Sequence, residues 1–157
     1  MEQPIFLQGV ARLLVVLHAA GAIVLIGSTT HHAIITYGYL RGRAMTRLGR
    51  MYAATSAATY LLTFVVGALS YPTYRYYTRA LHFDRYAPWA TTLFDVKEHF
   101  ASLGLPLVLG ALWLSRGLEP RRDRAVLPVY AVLVFGTVAI VWFNVFSGLV
   151  VVLEKGV

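Results

Sequence analysis

Four long apolar stretches, separated by short charged segments, set the pattern of this chain. No Asp, Glu, Lys or Arg falls between Arg12 and Arg41, within Met51–Tyr74, within Phe100–Ser115 or within Ala125–Leu153. A helix needs about 20 mostly apolar residues to cross about 30 Å of hydrocarbon. Inside lipid every backbone N–H and C=O must find a partner within the protein, which leaves helices or closed barrels. Barrel strands alternate in polarity and need only about 10 residues, so these uniform runs predict helices. The expected spans are residues 7–37, 50–70, 95–117 and 124–153, with an outer loop at 71–94. The expected fold class is all-α, an integral membrane four-helix bundle that occupies the whole chain as one domain.

The charges fix an orientation. Arg41, Arg43, Arg47 and Arg50 stand in the first connection without an acid, and Arg116, Arg121, Arg122 and Arg124 outnumber Glu119 and Asp123 in the third. In a four-span protein these two loops share a side. Arginine-rich short loops face the cytoplasm, so segments 41–50 and 116–124 are expected to be cytoplasmic and both termini periplasmic, in a bacterial-type inner membrane. The net charge of +7 is accounted for by these loops and lipid headgroups, and nothing else in the chain points to nucleic acid. The segment Met1–Gln8 holds Glu2 and no basic residue, so the first run is expected to remain as a span and not to act as a cleaved signal.

Cysteine is absent. That excludes disulfides, thiolate-bound iron–sulfur clusters, c-type haem attachment and a cysteine nucleophile. No phosphate loop or nucleophile elbow occurs either. Pro72 lacks an N–H and disfavours helix before it, so the second span is expected to end at Tyr71-Pro72. Pro106 falls inside the third span and predicts a kink. The stretch Tyr52-Ala-Ala-Thr-Ser-Ala-Ala-Thr59 is rich in small residues, which lets membrane helices approach closely. The outer loop gathers Tyr71, Tyr74, Tyr76, Tyr77, Tyr86 and Trp89, an aromatic belt for a headgroup layer, with a short amphipathic helix expected over Arg75–His82.

Polar groups inside spans are costly and mark function by default. His18, His31 and His32 fall in the first span and His99 opens the third. His18 and His32 are 14 residues apart, about 21 Å along a helix and within about 40° of whole turns. They share one face, one near each leaflet, and His31 points elsewhere. This step resembles the ligand spacing of the two-haem cytochrome b bundle, but no other helix supplies a matching pair. A single haem near the outer leaflet is simpler: His18 and His99 lie on different spans at similar depth, and neutral imidazole is an axial haem ligand. Gly21 leaves room for a flat macrocycle, and Arg75 and Arg79 suit its propionates. His32 is the candidate for any second site. His82, Asp84, Asp95, Glu98 and His99 form a weaker N/O set for a bound metal ion. Asn144 and Ser147 are the main polar positions of the fourth span.

The stretch Leu17-His18-Ala-Ala-Gly21, continuing to Gly27, resembles the first helix of small four-helix membrane proteins related to copper-resistance D-type domains and their haem-binding relatives. The resemblance covers about ten residues. It implies an axial role for His18; Asp95-Val-Lys-Glu-His99 has no counterpart in that pattern. The expectation is a membrane subunit of an electron-transfer complex that carries a b-type haem on His18 and His99 and exchanges electrons with quinone or a partner. The competing expectation is a cofactor-free accessory subunit packed against other membrane subunits. A transporter is weakened by the lack of acids inside the spans.

Overall fold

The computed structural model describes residues 5–155. All regular structure among them is helical, and four helices are long and apolar enough to cross a membrane. A short 3₁₀ turn at Gln8–Val10 leads into α1, Ala11–Leu40. Next come α2, Thr46–Tyr74, α3, Pro88–Ser115, and α4, Leu127–Lys155. Each helix packs on the next and α4 closes on α1, so α1 and α3 lie across the diagonal. Short connections between neighbours give the up-down arrangement of a four-helix bundle.

The helices are bound together in three layers. At the arginine-rich end, Ile35, Tyr39, Ala111, Leu118, Leu127, Tyr130 and Val134 pack together. Leu25, Ala57, Tyr60, Val108 and Val141 fill the middle. Phe83, Ala87, Ala90 and Val151 close the tyrosine-rich end. Outside these layers large apolar side chains stand exposed along all four helices, such as Ile23, Leu62, Leu103 and Val132. A bundle with an apolar exterior is compatible with lipid or with other apolar chains around it.

The second helix does not end where the sequence predicts. It runs through Pro72 to Tyr74, continues as a π-helix over Arg75–Phe83 and finishes with a turn at Asp84–Tyr86. Proline removes one N–H donor from the ladder, and an i→i+5 register beyond it takes up the change in turn without ending the helix. The segment expected to form a separate amphipathic helix is this continuation. Likewise α3 starts at Pro88, seven residues before the expected boundary at Asp95, with proline in the first turn where its missing N–H costs nothing. Arg79 ties the two segments together: its Nη1 and Nη2 donate to the Asp95 carboxylate at 2.8 and 3.1 Å. At the other end, Arg50 Nε donates to the Ser115 carbonyl at 3.2 Å, capping α3 with a cation where its dipole is negative.

Candidate functional site

The inward face of α1 carries a polar patch in its second half. Ser28, Thr29, His32 and Thr36 are buried on it, and His18 is half-buried two turns before Leu25. His18 and His32 do share this face, and His31 is exposed, with its ring stacked on Tyr52 at 5.4 Å. Opposite, α2 presents Ala53, Ser56, Ala57, Tyr60 and Thr63. The alternation of three- and four-residue steps on both helices is the packing repeat of closely paired helices, and small residues allow the short approach.

His18 is held in this seam. Its Nδ1 lies 3.0 Å from the Thr63 carbonyl, which can only accept, so Nδ1 carries the proton and a neutral ring leaves Nε2 free. The ring lies over Gly67, where an added Cβ would come within 3.0 Å of Cε1. Gly21 serves the same interface: a Cβ there would meet Thr63 Oγ1 at 2.7 Å. The space that Gly21 leaves is therefore taken by a side chain of α2.

His99 stands elsewhere. It is exposed on α3, and its Nδ1 donates back to the Asp95 carbonyl of its own helix at 2.6 Å, again leaving Nε2 free. The inward-facing charged residue of α3 near this end is Lys97. Its Nζ sits 4.6 Å from the centre of the Phe94 ring, and its stem runs beside Gly148 of α4. Lys97 and His99 are two residues apart, about 200° around a helix, so one faces inward when the other faces out. No ion pair to Lys97 occurs among the described residues. Tyr74 stacks on Phe94 at 4.0 Å, and its buried hydroxyl has no partner among the described residues.

The remaining candidates are mostly engaged with protein. His32 Nε2 lies 2.6 Å from the Tyr130 hydroxyl, joining α1 to α4 in the layer at the arginine-rich end. Both residues are almost fully buried, at 3% and 1% exposure. Arg79 holds Asp95, with Asp84 also within 3.8 Å, and Arg75 is exposed. Asn144 and Ser147 bond to carbonyls of their own helix. Among the described residues no three His, Asp or Glu side chains come together as a metal-holding group, so His82, Asp84, Asp95, Glu98 and His99 do not converge.

These positions test the fit of a haem within one copy. A bis-imidazole haem needs two rings facing one iron from opposite sides. Here the His18 ring lies against α2 and the His99 ring lies on the exposed face of the diagonal helix, so the two do not face a common point inside the bundle. The pair does not fit a haem held inside a single copy, although each ring keeps a free Nε2. Sequence reasoning missed Lys97 and Tyr130. The inward stripe of α3 runs Ala90, Phe94, Lys97, Ala101, Gly104, Val108, Ala111, and its strict four-three spacing places Lys97 on it and leaves His99 off it.

The fold defines an all-helical four-helix bundle whose four long helices are apolar enough to cross a membrane. Comparison with known proteins adds no family to that class: no family model, no curated protein and no solved structure matches the chain.

Proposed function

We propose that this chain is a multi-pass membrane protein with its arginine-rich connections on the cytoplasmic side, and that it serves as a packing subunit of a larger membrane complex. The observation that carries the reading is His99. Measured from Ser115 at the arginine-rich end of α3, it lies about 24 Å along the helix, inside a hydrocarbon layer of about 30 Å. An exposed imidazole at that depth is costly against lipid and ordinarily meets a neighbour. The interior polar groups support the same reading: His18, His32, Ser28 and Tyr60 each make a hydrogen bond to a neighbouring helix.

A photoreactive benzoyl-phenylalanine at position 99, irradiated in native membranes, tests this. The expected result is a discrete adduct of one defined mass that is absent when the same residue is placed at Leu153, which is 83% exposed. Equal adduct patterns, or lipid adducts alone, at both positions would remove the subunit reading.

The free Nε2 of His99 favours one second reading, an electron-transfer subunit. In that case a b-type haem would lie at an interface, with His99 as one ligand and the other supplied by an adjoining subunit, and quinone as a redox partner of the assembly. When bound, the haem would supply one-electron transfer. This chain's part is to hold the imidazole, with its proton fixed on Nδ1 by the Asp95 carbonyl. A dithionite-minus-oxidised spectrum of the intact complex separates the two readings: a stoichiometric b-type band lost in His99→Ala supports the redox subunit, and a flat spectrum leaves the packing subunit.

A further inference from the structure

The bundle has a recess at the end of α1 that the packing reading does not use. It has a volume of about 220 Å³ and is lined by Ile34, Tyr37, Gly38, Arg41, Arg43 and Met45. We propose that it binds the phosphate headgroup of an anionic phospholipid.

The charges in the recess are of one sign, because two arginines and no carboxylate line it. Arg41 is held on the wall: its Nη1 donates to the Tyr37 hydroxyl at 3.0 Å, and its guanidinium carbon lies 5.8 Å from the centre of that ring. Arg43 is brought back over the recess by the turn after α1. Its backbone N–H donates to the Gly38 carbonyl at 2.9 Å, and Gly42 supplies the positive φ of 80° that the reversal needs. The Arg43 guanidinium makes no hydrogen bond or ion pair among the described residues. Guanidinium groups match phosphate oxygens in a bidentate manner, so Arg43 is the free ligand and Arg41 the fixed one.

The shape of the recess selects a lipid over a free anion. Ile34 and Arg41 lie seven residues apart on α1, about 10 Å along the axis. Ile34 and Tyr37 are exposed at 60% and 54% on the apolar outside of the bundle. One end of the recess therefore adjoins acyl chains while the other presents two guanidinium groups at headgroup level. Basic pockets at this depth bind anionic headgroups. A second recess, beside Trp113 and Arg116, includes Asp123 in its lining and is the poorer anion site.

This inference rests on the membrane placement proposed above, and the test separates the two. The full chain is first reconstituted into phosphatidylcholine vesicles; failure to remain with them after flotation would remove the membrane placement itself. Native mass spectrometry of the detergent-solubilised protein then compares phosphatidylglycerol with phosphatidylcholine. Selective retention of phosphatidylglycerol is expected, weakened about fivefold per arginine and so about 25-fold in Arg41→Gln/Arg43→Gln. Arg121→Gln/Arg122→Gln removes the same charge from the same end without touching the recess and, with exposed charges screened by salt over about 8 Å, is expected to leave affinity within about twofold. An equal loss in both double variants would reduce the effect to diffuse attraction and overturn the site. Displacement of the lipid by millimolar inorganic phosphate would overturn the choice of a lipid. Should the double variant lose its helical circular dichroism, Arg43→Gln alone carries the test, with a loss of about fivefold expected and an unchanged affinity counting against the site.

Discussion

The hydrogen bond between His32 and Tyr130 offers a quantitative test of how this bundle is held. It joins residues 98 positions apart in sequence at 2.6 Å, with both side chains nearly sealed from the surroundings. Tyr130→Phe removes the hydroxyl and leaves the imidazole Nε2 facing apolar neighbours. His32→Phe leaves the tyrosine hydroxyl without its ring partner. An unpaired buried polar group costs about 1 to 3 kcal/mol, so each single variant is expected to lose about 1.5 kcal/mol, toward the lower part of that range. In the double variant neither member of the pair is left unpaired. The rings meet edge-on, with centroids 5.7 Å apart and an interplanar angle of 67°, a contact that two phenylalanines can keep. The double variant should therefore be more stable than the sum of the singles implies. Hydrogen bonds between membrane helices couple by about 0.6 kcal/mol on average and about 1.7 at most. The short distance and deep burial put this pair near the upper figure, at about 1.5 kcal/mol. Reversible unfolding in mixed micelles of mild detergent and dodecyl sulfate, followed by circular dichroism, gives the four stabilities of the cycle. Additivity within about 0.3 kcal/mol, the level expected for independent sites, would refute the claim that this bond clamps α1 to α4.

Three further outcomes follow from the packing. Gly104 faces the Tyr60 ring, whose hydroxyl donates to the Ala101 carbonyl at 2.7 Å, so Gly104→Ile should force α2 and α3 apart and cost about 1 to 3 kcal/mol in the same unfolding assay. The Arg50–Glu119 pair is exposed at 47% and 57% of its side chains, so Glu119→Gln should change stability by under about 1 kcal/mol and the change should shrink further in high salt. Asp95→Asn should release Arg79 and loosen the π-helical continuation of α2, read as faster trypsin cleavage after Arg75, Arg79 or Arg85 with the rate elsewhere unchanged.

Much of the fold is readable from where the charges stop. The apolar runs mark all four long helices, because runs this long and uniform suit a helix, which satisfies its backbone within the segment, and not the short alternating strands of a barrel. The boundaries are less legible where aromatic and charged residues mix. Between Tyr71 and Phe94 the local composition suits a belt as well as a helix. What extends α2 and α3 into that region is a set of contacts from distant positions: Phe83, Ala87 and Ala90 packed on Val151, and Arg79 on Asp95. Pro72 illustrates the limit of a local rule. It predicts a stop because it removes a donor, but a helix packed on its neighbours can tolerate the loss and change register.

The histidines separate along the same line. His18 and His32 can be placed on a common face from spacing alone, because both lie on one helix and helical phase carries over 14 residues. His99 cannot be related to them that way, since its phase belongs to another helix whose rotation is set by packing. The information was nonetheless present in α3. Small and apolar residues at Ala90, Ala101, Gly104, Val108 and Ala111 fix the inward stripe, and Lys97 falls on it in phase. A lysine at such a position attracts less notice than a histidine because it reads as a boundary marker, yet its stem is long enough to lie along Gly148 while its charge reaches the Phe94 ring. Depth and phase therefore have to be read together. Depth alone pairs His18 with His99, whereas depth with phase puts Lys97 on the inward stripe of α3 and His99 on its exposed face, which is why position 99 is where the proposed partner is best sought.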